Sequence, residues 1–350
     1  MRNIFTLLLT SLGLAACQAQ EYKSLSIDEN ERTIADPNVV RLDVRTAEEY
    51  AQGHIDGAIN IDVQRSDFES IATATLPQGK TVAVNCRSGK RSKVAAQALV
   101  KKGFNVIELD HGYNEWTAAN KSVSREEVDL FYTTGGTLVR LFCTKHGSVR
   151  VQIGDKWLYV DPVGAALPPV VDYSTMPKAD VILVTHEHHD HHDPAAIEQL
   201  KTEQTLIIAN PNVKKNHDGQ EWREMKNGET LQLPNGWQLE AVAAYNTSDE
   251  KQNFHPRGRD NGYVLTVDGM RIYFAGDTEP IDEMKALKGV DVAFLPCNLP
   301  YTMTPEQLVE AAKMVQPRVL FPYHYGQTDI QQVVRLLEGS NIDVRIRQYQ

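Results

Sequence analysis

Cysteine is scarce, with four in 350 residues, so a disulfide-stapled scaffold is excluded. Basic charge is also short: 36 Lys and Arg face 46 Asp and Glu, a net charge of -10. That balance excludes a broad basic nucleic-acid footprint, and no nucleic-acid partner is expected. No apolar run reaches the length of a bilayer-spanning helix, so a polytopic membrane protein is excluded. Internal repeats and low-complexity linkers are absent as well. What is present is a globular composition, 41% hydrophobic and 23% charged, in a chain longer than one ordinary domain. The charge is uneven. Residues 1–125 carry 15 basic and 15 acidic side chains, whereas residues 126–350 carry 21 and 31. Two units of different electrostatic character are expected.

The amino terminus reads Arg2, an apolar run from Ile4 to Leu14, then Leu14-Ala15-Ala16-Cys17. A positive end, a short apolar stretch and small residues before a cysteine are the marks of an export signal. The segment resembles a bacterial lipoprotein signal. The resemblance implies a signal peptide over 1–16, lipidation of Cys17, and a mature chain held to a membrane by acyl chains rather than by a helix. Gln18 in place of an aspartate favours the outer membrane, with the protein facing the periplasm in the cell envelope.

From about residue 22 to 125 the pattern is a parallel α/β unit. Val39–Val44 and Thr81–Asn85 read as short strands, Thr46–Tyr50 as a helix, and Val106–Leu109 as a further strand. Alternating strands and helices place function at the strand C-terminal ends. There Cys86 ends a strand and opens the run Arg87-Ser88-Gly89-Lys90-Arg91 before a helix. Helix N–H groups and three cations favour a thiolate, so a reactive thiol is expected. Together with Leu42-Asp43-Val44-Arg45, Glu48-Glu49-Tyr50, Gly53-His54-Ile55, Gly57-Ala58-Ile59-Asn60 and Gly112–Trp116, this loop resembles that of a rhodanese domain. The resemblance implies a sulfurtransferase fold in which Cys86 carries a persulfide, with a sulfur donor or acceptor thiol as partner. Asp43 and Arg45 resemble that family's pair supporting the loop, and His54 is expected to pack.

Residues 126–134 join the units, and the second domain is expected over 134–350. Leu138–Phe142, Val149–Ile153, Trp157–Val160 and Asp180–Thr185 read as strands. Then come five histidines in seven residues, His186, His188, His189, His191 and His192, with Glu187 and Asp190 between them. The tract lies between a buried strand and a helix capped by Asp193 and begun by Pro194. Neutral imidazoles so crowded point to a transition-metal site.

The spacing His186-x-His188-x-Asp190-His191 resembles the signature of the metallo-β-lactamase superfamily. Asp161-Pro162, Gly276-Asp277-Thr278 and Tyr323-His324-Tyr325-Gly326 follow in order. Ala244-Tyr245-Asn246, Phe254-His255-Pro256, Asn261-Gly262-Tyr263 and Tyr301-Thr302-Met303 resemble its ascorbate-6-phosphate lactonase-like branch. The resemblance implies an αββα sandwich and a centre of two divalent ions, zinc first, with manganese or iron also compatible. His186 and His188 are expected at the first ion with His255 as third imidazole, and Asp190, His191 and His324 at the second, with Asp277 bridging. Asp190 is a candidate catalytic group that steers a proton. His217 is expected on the surface, His189 and His192 behind or outside the ligand set, and His146 is open between pocket and packing. Arg257 and Arg259 are weak candidates for an anionic substrate group. Cys143 and Cys297 are expected as buried thiols, a bridge between them staying open.

The expected function is a membrane-anchored, metal-dependent hydrolase of a small ester, lactone or phosphorylated molecule, fused to a rhodanese sulfurtransferase. The alternative is an iron-dependent persulfide dioxygenase of sulfur metabolism, since such enzymes join the same two folds in the reverse order.

Overall fold

The computed structural model describes residues 22–36, 38–125, 128–217, 219, 221–347 and 349. Cys17 and the signal segment lie outside the described residues. Two compact units form. One comprises residues up to 50 with 60–74 and 78–123, and the other 124–350 with the short segments 51–59 and 75–77.

In the first unit, the strands run in the order Lys23–Leu25, Asn105–Leu109, Thr81–Asn85, Val39–Asp43. The three pairs joining them are parallel. The central strand Thr81–Asn85 buries Val82, Ala83 and Val84, a short apolar run that only a sheet covered on both faces accommodates. The helix Lys90–Lys101 starts directly beyond it, and left-handed Gly89 turns the chain into its first residue. The expected strands therefore form, and the sequence pattern had not picked out Lys23–Leu25.

The second unit is a sandwich of two seven-stranded sheets. One runs Trp222–Glu224, Leu206–Ala209, Val181–Val184, Lys156–Val160, Ser148–Ile153, Leu138–Lys145, Asp129–Tyr132. The other runs Thr230–Gln232, Gln238–Ala244, Asp260–Val267, Met270–Phe274, Val292–Pro296, Val319–Tyr323, Asp343–Val344. Their inner faces share one core that includes Val151, Leu183, Leu265, Phe274, Phe294 and Phe321. Helices cover the outer faces. Pro194–Leu200 packs through Ala196, Ile197 and Leu200 on one side, and Pro305–Val315 through Leu308, Ala311 and Ala312 on the other. This is the αββα arrangement.

Both outer helices begin as their sequences dictate. The Asp193 carboxylate accepts from the Ala195 and Ala196 amides with Pro194 in the first turn. Thr304 and Gln307 form a reciprocal capping box around Pro305. Among the described residues no helix is long and apolar enough to cross a membrane.

Candidate functional site

The second unit gathers its polar residues where strands end. Val181–Val184 delivers the histidine tract, Met270–Phe274 leads into Asp277, and Val319–Tyr323 leads into His324. His255 comes from the connection between Gln238–Ala244 and Asp260–Val267, and His146 from the turn between Leu138–Lys145 and Ser148–Ile153. Residues far apart in the chain thereby meet at one edge of the sandwich.

Three overlapping donor groups result. His186, His188 and His255 bring one nitrogen each within 4.8 Å of one another, as do the donors of His146, Asp190, His191 and His324. His186, His191 and Asp277 form the third group, so Asp277 stands between the other two. Its carboxylate lies 3.3 Å from Nε2 of His191, 3.3 Å from that of His255, 3.5 Å from that of His324 and 3.9 Å from that of His186. Burial would raise the Asp277 pKa, but His324 and His191 hold it well below the ordinary carboxylate range.

Every expected ligand is thus in one cluster, and so is His146. Its Nε2 lies 3.0 Å from the Asp190 carboxylate, and its ring sits 3.6 Å from the ring of His324. Burial, then the neighbouring His324 and His191, push its pKa down to about 4, against the hydrogen bond to Asp190. The neutral ring is the form that can donate a lone pair. The Asp190 carboxyl is lowered against its burial by the hydrogen bond from His146 and by the nearby imidazoles of His324 and His191.

A metal fits this cluster. The Nε2 atoms of His186, His191, His255 and His324 are buried and have no hydrogen-bond partner, a costly state for a polar atom unless an ion occupies the space they face. The opposite nitrogens of two of them are fixed. His191 donates from Nδ1 to Asp161 at 2.7 Å, and His186 Nδ1 lies 2.9 Å from Thr185 Oγ1, which itself donates to Asp161 at 2.6 Å. Asp161 thereby sets which nitrogen of each ring is free, as carboxylates behind metal-binding histidines do. The sequence showed Asp161 only as part of an Asp-Pro match. Gly147 matters for space: a Cβ there would come within 2.8 Å of the His191 ring.

The loop bearing His255 rests on a buried ion pair. Lys251 Nζ is 2.8 Å from Glu279 and also donates to the Thr302 carbonyl at 2.7 Å. Glu279 further accepts from the Thr247 and Ser248 amides, the Ser248 hydroxyl and Gln307. Asn246 donates to the carbonyls of Lys251 and Tyr301 and lies 3.2 Å from His255 Nδ1. The Glu279–Lys251 pair carried no sequence signal, because both are common residues in unremarkable runs, whereas Asn246, Tyr301 and Thr302 lie in the segments that carried the resemblance.

Other expectations change. His217 is half-buried: it stacks on Trp222 at 3.8 Å and meets His192 Nε2 at 3.2 Å, so both histidines pack together outside the ligand cluster. His189 is exposed. Arg257 pairs with Glu283, and Arg259 with Asp260 and Glu187, so neither is held for an anion. Cys143 and Cys297 are free thiols as expected, Cys297 buried but Cys143 only partly so.

In the first unit Cys86, the expected reactive thiol, is 1% exposed and lies at the base of its loop. Arg87, Ser88 and Lys90 are exposed and Gly89 is buried. The Cys86 and Arg87 carbonyls accept from the Tyr113 and Asn114 amides. Left-handed Gly112 is required there, since a Cβ would collide with the Cys86 carbonyl. Arg91 is committed to Glu49 through two bonds of 2.7 and 2.8 Å, so it braces the loop rather than facing the thiol as a free cation. Arg45 grips Asp43 through bonds of 2.9 and 2.6 Å and lies over the Tyr113 ring. That is the supporting pair the resemblance implied.

Residues 140–324 match the family model of the β-lactamase superfamily domain. The chain belongs to that superfamily. Residues 26–119 match the rhodanese-like domain. A UPF0173 metal-dependent hydrolase of Thermococcus onnurineus is 32% identical over 188 residues, covering 51% of this chain and 79% of the relative. Another from Bacillus licheniformis is 34% identical over 193 residues, covering 52% and 82%. A crystal structure from Parabacteroides distasonis, of a protein assigned as a metal-dependent hydrolase, has 48% identity and a TM-score of 0.61. It covers 64% of this chain and all of that one. The protein is a metal-dependent hydrolase of the metallo-β-lactamase fold with a rhodanese-like domain before it.

The Glu279 pair yields a pH prediction. Burial would raise the Glu279 pKa, but Lys251, Ser248 and Gln307 bring it down from 4.5 to about 2. A depressed carboxyl stabilises the fold above its unfolded pKa and loses that contribution as pH falls through the folded one. Glu279→Gln should therefore cost about 3 kcal/mol in denaturant unfolding at neutral pH, by stranding Lys251. The gap to wild type should narrow between pH 4.5 and about 2.

Proposed function

We propose that the protein is a lipid-anchored hydrolase with two divalent ions, zinc foremost, that cleaves a small ester, lactone or phosphorylated molecule. We propose further that Cys86 carries sulfur as a persulfide in the rhodanese-like unit. The observation that carries the two-ion reading is Asp277 standing between two donor groups, each complete without the other. His186, His188 and His255 would hold the first ion, and Asp190, His191 and His324 the second, with His146 added to that side. Bound ions supply Lewis acidity, activating water and polarising the scissile group. The chain's own residues do the rest. Asp161 and Thr185 hold the imidazoles in the ligating tautomer. Asp190, hydrogen-bonded at Oδ2 to His146 Nε2 and with 21% of its side chain open, is held as the carboxylate and is placed to accept a hydrogen bond from water and steer its proton. The dioxygenase alternative needs one iron and only one of the donor groups, and it is compatible with a second group left empty, so the metal count and oxygen uptake separate the two readings.

Three outcomes follow. Asp277→Ala should lower metal content from about two ions per chain at both positions together, and His191→Ala at one. One tightly held iron with oxygen uptake on glutathione persulfide would favour the dioxygenase. Cys86→Ser should abolish sulfur transfer from thiosulfate while metal content stays at the wild-type level. For the cell envelope, Cys17→Ser should yield an uncleaved or soluble form. A variant still processed and membrane-bound after a high-salt wash would remove the lipid anchor from the proposal.

A further inference from the structure

The exposed run Leu299-Pro300-Tyr301 sits beside the metal-ligand cluster. Leu299 is 47% and Tyr301 44% exposed, among the few large apolar side chains open to solvent in the described residues. One hydrogen bond and one close approach connect this loop to the segments that carry the two donor groups. On the first side, Asn246, 3.2 Å from His255 Nδ1, donates to the Tyr301 carbonyl at 2.8 Å, and the Phe254 ring meets Tyr301 edge-on at 5.1 Å. On the second, Gly326, two residues past His324, lies so close that a Cβ would be 3.0 Å from Asn298 Oδ1. The loop therefore touches both the segment carrying His255 and the segment carrying His324.

The charges on these segments are also settled. In residues 246–260 the three cations are all committed: Lys251 to Glu279, Arg257 to Glu283, and Arg259 to Asp260 and Glu187. Residues 297–303 carry no charge, and Asp249 and Glu250 are exposed on the His255 loop. A phosphorylated substrate would meet exposed carboxylates and no spare cation on these segments. An uncharged aromatic group would instead meet Tyr301, Phe254 and Leu299.

We propose that Leu299 and Tyr301 form the apolar wall of the substrate site, and that the enzyme selects an uncharged ester or lactone bearing an aromatic group over a phosphorylated one. This rests on the hydrolase reading above and narrows it. In the reaction, the oxygen of water bonds to the acyl carbon, the bond from that carbon to the alcohol oxygen breaks, and the alcohol leaves with a proton.

The test uses the metal-loaded full chain with three esters: phenyl acetate, ethyl acetate, and phenyl acetate carrying a para phosphonomethyl group. The remote phosphonate adds charge with little change at the reacting carbon. Phenyl acetate should exceed the phosphonate by about tenfold in kcat/KM. The L299S/Y301S variant should lower the phenyl-to-ethyl ratio by about tenfold, chiefly through KM. Metal content should stay at wild type, and Tyr301→Phe should keep the ratio. Preference for the phosphonate, or an unchanged ratio in the double variant, would overturn the wall. Failure of the wild type to hydrolyse any of the three would overturn the ester reading itself, and the wall with it.

Discussion

The second unit is organised around a carboxylate that has no solvent. Asp277 is 2% exposed and is surrounded by the imidazoles of His186, His191, His255 and His324. Such a group is tolerable only where positive charge or ions face it. The sandwich meets that demand by ending several strands at one edge, so that each delivers a polar side chain to the same point. The large aromatic and aliphatic core lies behind, between the sheets. Stability and site are therefore separated in space: apolar burial holds the strands, and the strand ends hold the ligands.

Around the ligands runs a further layer of fixed polar residues. Asp161 orients His191 directly and His186 through Thr185. Glu279 and Lys251 hold the long His255 connection, which no strand pairing supports. Imidazoles with their outer nitrogens already bonded lose little freedom on taking up an ion. The same support reaches the exposed Leu299–Tyr301 loop through Asn246 and Lys251.

The rhodanese-like unit uses different means for a similar end. Cys86 is held at the base of a short loop by a glycine contact, by Arg45 on Asp43 and by Arg91 on Glu49. Charges that looked free in the sequence prove to be braces. The exposed Arg87 and Lys90 are the cations of that loop left facing solvent.

Much of this was written in the chain order. Buried runs such as Val181–Val184, the helix caps at Asp193 and Thr304, and the crowded histidines after a strand are local patterns, and local backbone physics realises them almost residue by residue. The tract His186–His191 announced a metal because four donors in six residues have few other uses. What the sequence could not determine was every relation across distance. That His146 joins the ligands, that His217 stacks away on Trp222, that Asp161 governs two imidazoles and that Glu279 anchors Lys251 all depend on which strand ends share an edge. A lone His, Asp or Lys looks the same in the sequence whether it binds, braces or packs. Only the pairing of distant strands decides its neighbours, and for a polar side chain the neighbours determine its charge, its free nitrogen and its work.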